Sequence, residues 1–237
     1  MVLHSGLQTI GERCFRGAGI ASVDIPPTVK TIGEKAFART FGLRDFRLTP
    51  SPDGLDLGTF VLQHSAVCNC NFGNRISELP YGTFWGCRGL RKLALPPGLQ
   101  RLGAACFRDS DVERVEVPAG LEEIGNYAFQ NCVCLREISF PPDSVLRRVG
   151  MGAFERSGLE SFSTPKSLRV IGSGAFYRCD RLHTVKLNDG LMRLGDADSI
   201  ALHGAFQDSA VERIDLPGSL RTLGQRTFEG CVRLSVV

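Results

Sequence analysis

Nine cysteines, four histidines and one short acidic cluster are the residues of this chain whose side chains could do chemistry. A thiolate is a nucleophile and a metal ligand, and a histidine beside it would be the base that activates it. His4, His64, His183 and His203 share no spacing with one another or with a serine or cysteine, so no nucleophile–base pair can be assembled. Cys68-x-Cys70 and Cys132-x-Cys134 are the close thiol pairs, and a C-x-C pair alone is a weak metal signal. Asp196-x-Asp198, followed by Ser199 and His203, starts like a calcium loop. Ile200 stands at its fifth position, however, and Gln207 stands where the twelfth-position Glu belongs. Gly17-x-Gly19, Gly150-x-Gly152 and Gly172-x-Gly174 do not continue into the G-x-G-x-x-G of a phosphate-cradling loop. The expectation is therefore no catalytic residue, no metal set and no cofactor within these residues.

What positions these side chains is a repeat. Phenylalanines occur at 15, 37, 60, 84, 107, 129, 154, 176, 206 and 228, a period of about 23 residues. Five residues before the Phe lies the second member of an apolar-x-x-apolar pair, often followed by Gly, as in Leu121/Ile124 with Gly125 and Leu168/Ile171 with Gly172. A small residue precedes the Phe: Ala36, Ala128, Ala153, Ala175, Ala205, Cys14 or Cys106. Downstream comes apolar-x-x-apolar-x-apolar closed by Pro, as in Leu90 to Pro96 and Val211 to Pro217. Its alternation is that of a half-buried strand, and Pro ends it because it cannot donate to a continuing ladder. From that strand to the next Ile-type slot takes seven residues, as in Ile25 to Ile32, Leu48 to Leu55 and Leu95 to Leu102; Phe140 to Val149 is longer by two. A unit this short cannot bury its own apolar face, whereas a stack of them can.

The composite L-x-x-I-G-x-x-A-F-x-x-C-x-x-L-x-x-I-x-L-P resembles the BspA-like class of leucine-rich repeats over essentially the whole chain. The resemblance implies a parallel-stranded arc used for protein interaction and, in several surface proteins, adhesion. The expected fold is a repeat solenoid, a leucine-rich-repeat arc of about ten parallel-stranded coils, mostly β with little helix. It forms a single domain over residues 1–237, with the strands on a concave sheet.

Two coil sizes alternate from Phe84 onward. The next apolar residue comes five after Phe107, Phe154 and Phe206, and six after Phe84, Phe129, Phe176 and Phe228. Ser110, Ser157 and Ser209 mark the short coils three residues past the Phe, and Cys87, Cys132, Cys179 and Cys231 the long ones. In this reading the serine satisfies a nearby backbone group and the thiol fills space. Strands about 4.8 Å apart put same-slot cysteines of alternate coils roughly 9–10 Å apart, beyond disulfide reach. The thiols are expected to pack.

The outward strand residues are the candidate binding face. Among them are Asp45, Arg47, Lys92, Arg114, Glu116, Glu137, Lys186, Arg213 and Asp215, with Asp24 giving five charges of each sign. This face lacks the basic stripe and stacking aromatics of a nucleic-acid binder. A second candidate is the insertion between Leu194 and Phe206, about seven extra residues near Gly195 to Ala201, with Asp196, Asp198 and His203. Insertions in solenoids form loops on one face and often carry recognition.

Net charge is +3 and no apolar run reaches membrane-spanning length, so neither nucleic acid nor membrane insertion is expected. Met1 to Ile10 has no signal-peptide pattern and the cysteine number is odd, which favours an intracellular setting. Neither end shows a polar capping coil, so the natural chain is expected to be longer, or the exposed sheet edges to pair with another copy. The functional expectation is a non-catalytic scaffold whose protein partner docks on the concave face or the 195–203 loop. Alternatives are a cell-surface adhesion module and a regulatory repeat segment of a larger enzyme.

Overall fold

A computed structural model describes residues 1–196 and 203–235, and no helix occurs among them. The strands in chain order are β1 (Thr9–Ile10), β2 (Ser22–Ile25), β3 (Thr31–Ile32), β4 (Asp45–Leu48), β5 (Asp56–Leu57) and β6 (Asn69–Asn71). They continue as β7 (Glu78–Leu79), β8 (Lys92–Ala94), β9 (Arg101–Leu102), β10 (Arg114–Glu116), β11 (Glu123–Ile124) and β12 (Glu137–Ser139). The last are β13 (Arg148–Val149), β14 (Ser161–Ser163), β15 (Val170–Ile171), β16 (Thr184–Lys186), β17 (Arg193–Leu194) and β18 (Thr222–Leu223). Each pairs in parallel with a strand one turn away: β2 to β16 of even number form one side and the two-residue strands the other, with the pairing interrupted between β5 and β7, β6 and β8, and β12 and β14. Eight turns carry both strands, slightly fewer than the ten or so coils expected. Past β16 the longer-strand ladder continues only as a bridge from Thr184 to Arg213.

Inward residues of the longer strands, such as Val23, Phe46, Val115 and Ile138, and the second residue of each short strand from β1 to β17 join the Phe-slot residues in one continuous core cluster from Ile10 to Val211, whereas Leu223 of β18 is exposed. Stacked, mostly co-planar rings run through it. Phe84, Phe107, Phe129, Phe154, Phe176 and Phe206 lie with neighbouring centroids 4.9–5.3 Å apart and planes within 11°. Such offset stacking adds to the burial of each ring about 0.5–1.5 kcal/mol per pair.

The backbone around each Phe explains the constant slot. Apart from Gly204 before Phe206, the residues two before and two after it hold left-handed φ, for example 58° at both Tyr127 and Asn131 around Phe129. Alternating left- and right-handed residues aims three N–H groups the same way. Tyr127, Phe129 and Asn131 donate to the carbonyls of Met151, Ala153 and Glu155 in the next turn, at 2.7–2.8 Å. The left-handed residues are unfavourable alone and are held by these bonds. The glycine after the Ile-type slot has a steric origin: a Cβ on Gly125 would sit 2.6 Å from the Leu102 carbonyl oxygen of the turn before.

One expectation fails. Phe60 is not a core Phe. Leu62 fills that slot, since the Phe37 N–H bonds to the Val61 carbonyl and the Leu62 N–H to that of Thr83, the same relation that Phe84 has to Cys106. Likewise Leu57, not Leu55, pairs with Ile32. The cause is a two-residue lengthening of the connection after Leu48, matching the one already read between Phe140 and Val149. The ring stack detours around Leu62 through Phe37, Phe46, Phe72 and Phe84, at centroid distances of 5.4–5.9 Å. Against the lengthened connection lies Arg75, 3% exposed, whose guanidinium donates to the carbonyls of Pro26, Pro27, Val29 and Asp53. A charged side chain stays buried there because carbonyls surround it.

This assignment is testable by urea denaturation. Phe129→Ala is expected to cost about 3–5 kcal/mol and Leu62→Ala about 2–5, whereas Phe60→Ala should fall under about 1 kcal/mol as a partly exposed substitution. A Phe60→Ala loss equal to that of Phe129→Ala would return Phe60 to the core.

Candidate functional site

The alternation of coils proves to be a hydrogen-bonding device. With Leu62 in the Phe slot, Ser65 extends the series, and short and long turns alternate from Phe15 to Phe228. Each long-turn thiol donates to the Phe-slot carbonyl of the short turn before it: Cys87 to Leu62, Cys132 to Phe107, Cys179 to Phe154 and Cys231 to Phe206, all at 3.0 Å. The serine of that short turn lies 3.5–3.6 Å from the same sulfur. The expected division of labour is thus reversed: the thiol reaches the backbone and the hydroxyl reaches the thiol. Burial pushes the Cys87, Cys132 and Cys179 thiols up to about 12, the serine hydrogen bond opposing it weakly. Burial likewise raises Cys106. Thiols held neutral at pH 7 are poor nucleophiles and poor metal ligands. Among the described residues no three His, Cys, Asp or Glu side chains are grouped to hold a metal ion.

On the longer-strand face the candidate residues stand in two registered columns. Arg114 lies opposite Lys92 and Glu137, and Glu116 opposite Ala94 and Ser139. Several charges neutralise one another: along the stack Arg47 with Asp24 at 3.6 Å and Arg114 with Glu137 at 3.8 Å, and within β4 Arg47 with Asp45 at 3.0 Å. A neighbouring column continues the habit with Arg91 against Glu113 and Arg136 against Glu160. Exposed pairs contribute about 0–1 kcal/mol each; their main effect is to leave the face close to neutral. Lys92, Glu116, Lys186, Arg213 and Asp215 are exposed and make no ion pair among the described residues. The second candidate is anchored at its feet. Asp196 accepts a hydrogen bond from the Ser173 hydroxyl and lies 3.8 Å from Arg193, while the His203 ring stacks on Tyr177 at 3.8 Å. Asp198 lies outside the described residues.

Two surface features escape a reading of the strands alone. Phe60, Tyr81 and Trp85 form an aromatic ledge, with the Arg108 guanidinium 4.6 Å above Trp85 and the Trp85 indole N–H donating to Asp109 at 2.9 Å. Placing Phe60 in the core hid it. The other is a corrugated edge where the Phe turns lead into the longer strands. The extra residue of each long turn projects: Phe41 is 71% exposed, Val133 60% and Val232 92%, with Arg88 and Asp180 at the equivalent positions. Short turns lie between them as floors. Between Phe41 and Arg88 this leaves a groove of about 560 Å³ over the 64–66 floor, flanked by Arg39 and Arg44. The sequence signal is the residue four past each long-turn Phe.

Comparison with known proteins places this geometry. The sequence profile of the BspA type leucine rich repeat region matches in 6 copies, over residues 1–112 and 100–235. A search of curated proteins finds no significant match. Among solved structures, a leucine-rich repeat protein from Bacteroides ovatus is similar at 26% identity with a TM-score of 0.64, over 90% of this chain and 48% of its own. The chain thus spans about half the length of that relative. A leucine rich cell surface protein from Faecalibacterium prausnitzii shows 20% identity and a TM-score of 0.49, over 98% of this chain and 70% of its own. The pneumococcal vaccine antigen PcpA shows 19% and 0.47, over 93% and 61%.

The thiol chemistry has a pH signature. Because the folded pKa of Cys87, Cys132 and Cys179 lies at about 12 against an ordinary 9.0, the unfolded chain loses these protons first. Their contribution is intact below pH 9 and is lost as pH rises towards 12. Urea midpoints are expected to fall across that window, and less steeply in a variant carrying Cys87→Ser, Cys132→Ser and Cys179→Ser. At pH 8 a thiol reagent should modify the exposed Cys14 rapidly and these three only after unfolding; equal rates would contradict the assigned burial.

Proposed function

The chain belongs to the BspA-type leucine-rich repeat family, and from that premise we propose that it is a non-catalytic protein-interaction scaffold whose partner docks across the longer-strand face. The observation that carries this reading is the face itself. In the three parallel ladders β2–β4–β6, β8–β10–β12 and β14–β16 the two residues flanking each inward strand position repeat in register and are mostly exposed. A rigid surface of this kind loses little conformational entropy on binding, which favours a broad docking surface over a pocket. The face offers unpaired charges at Lys92, Glu116, Lys186, Arg213 and Asp215 among small side chains such as Asn71, Ala94, Ser139, Ser161 and Ser163, so a partner backbone can come close. The buried, protonated thiols and the scattered histidines support the non-catalytic part of the reading.

Site-specific photo-crosslinking tests it. A photoreactive residue at Ser163 or Thr184 should give discrete covalent adducts with proteins of the source cell, and these should weaken several-fold when Lys186→Glu and Arg213→Glu are combined. The same residue at Arg147, beside the short-strand ladder, should give none of them. Adducts of the same identity and yield from all three positions would remove the longer-strand face from the account.

A further inference from the structure

We propose that the groove between Phe41 and Arg88 is a docking site for a short carboxylate-rich segment of a partner protein, held in extended form with an apolar side chain against Phe41. The proposal rests on the reading of the chain as an interaction scaffold, and it places a second, independent contact on the corrugated edge.

Three observations converge on it. The groove is bounded by long turns two steps apart, and strands spaced about 4.8 Å put its walls roughly 10 Å apart, room for one extended chain. Its rim gathers Arg39, Arg44 and Arg88 above His64 on the floor, and no carboxylate lines it. The three arginines make no ion pair or side-chain hydrogen bond among the described residues, whereas Arg47, Arg91, Arg114 and Arg136 nearby all face an acid. An uncompensated group of guanidinium forks suits carboxylates, which each can engage through two parallel hydrogen bonds. Phe41, 71% exposed on the same rim, supplies the apolar anchor that a purely ionic contact would lack.

The floor is shaped for approach. Gly86 holds φ of 71°, and a Cβ there would come within 2.1 Å of the His64 ring, so any other residue would be strained and would push that imidazole from its place. Ala66 and Gly89 keep the remaining floor low. The basic character also stops abruptly. The short turn that follows, between those of Arg88 and Val133, carries Asp109 and Asp111, both half-buried, where the 64–66 floor has His64 and Ala66. A polyanion running along the stack would meet those acids, while a short acidic segment crossing the edge would not. This favours a peptide over a nucleic acid.

Fluorescence anisotropy on the full chain decides the matter. The probe is a fluorescein-labelled eight-residue peptide of alternating Glu and Leu. Comparison ligands are the same peptide with Gln for Glu, the same with phosphoserine for Glu, and an eight-nucleotide oligothymidylate. The Glu peptide is expected to bind and the Gln peptide not, with affinity falling as sodium chloride rises. Arg88→Glu should weaken binding about tenfold or more, the worth of one charged hydrogen bond. Arg39→Glu, Arg44→Glu and Arg88→Glu combined should abolish it, Phe41→Ala should weaken it, and Arg147→Glu on the short-strand side should leave it unchanged. Circular dichroism shows whether each variant keeps the fold, and Arg88→Lys, retaining charge without the fork, should bind at an intermediate level. Equal binding of the Gln peptide, binding that survives the triple variant, or groove-dependent binding only of the phosphopeptide or oligonucleotide would each overturn the proposal. Loss of the longer-strand crosslinks with peptide binding intact would remove the face and keep the groove; the reverse would remove the groove alone.

Discussion

The structure depends on the hand-over of backbone N–H groups at the Phe turn. Left-handed residues two before and two after the slot aim up to three donors per turn at the carbonyls of the next turn, as Tyr127, Phe129 and Asn131 show. Because donors and acceptors must meet at every step, the path from short strand to Phe slot keeps its five residues in every turn but the one carrying the insertion between Leu194 and Phe206, even where the connections elsewhere stretch by two. Ring stacking, strand register and the glycine after the Ile-type slot all follow once successive turns lie at hydrogen-bonding distance. The solenoid is in this respect a backbone object that side chains fill.

That priority sets how far the sequence could be read. The period, the parallel strands, the outward columns and the cysteine slots are legible because stacking forces like residues into like positions. Leu62 was not, because an aromatic two residues away offered a better match to the pattern than the leucine in the slot, and the lengthened connection after Leu48 made the wrong spacing look regular. Arg75 was illegible for another reason. Its four carbonyl acceptors come from segments up to 49 residues away, and no local pattern reports a buried cation satisfied by backbone alone. The rim of Arg39, Phe41, Arg44 and Arg88 falls between these cases: the projecting position repeats, but its chemistry changes from turn to turn.

Electrostatics divides the surface along the same lines. In the strand columns, registered neighbours lie close enough for opposite charges to pair, as Asp24 does with Arg47 and Arg114 with Glu137. The short-strand side repeats this with Glu78 and Arg101, and with Glu123 and Arg148. Projecting positions recur only every second turn, too far apart for lateral pairing, so charge placed there remains available. A nearly neutral protein can carry locally unbalanced sites in this way.

The bond from each long-turn thiol to the short turn before it has a consequence for how such a chain can change length. Removing or duplicating a single turn would set two short turns side by side, leaving a serine without its sulfur, or two long turns, leaving a cysteine without its short-turn partners. Removing or duplicating a pair leaves every junction as it was. Growth of this solenoid is therefore quantised in doublets: its heritable module is two turns long.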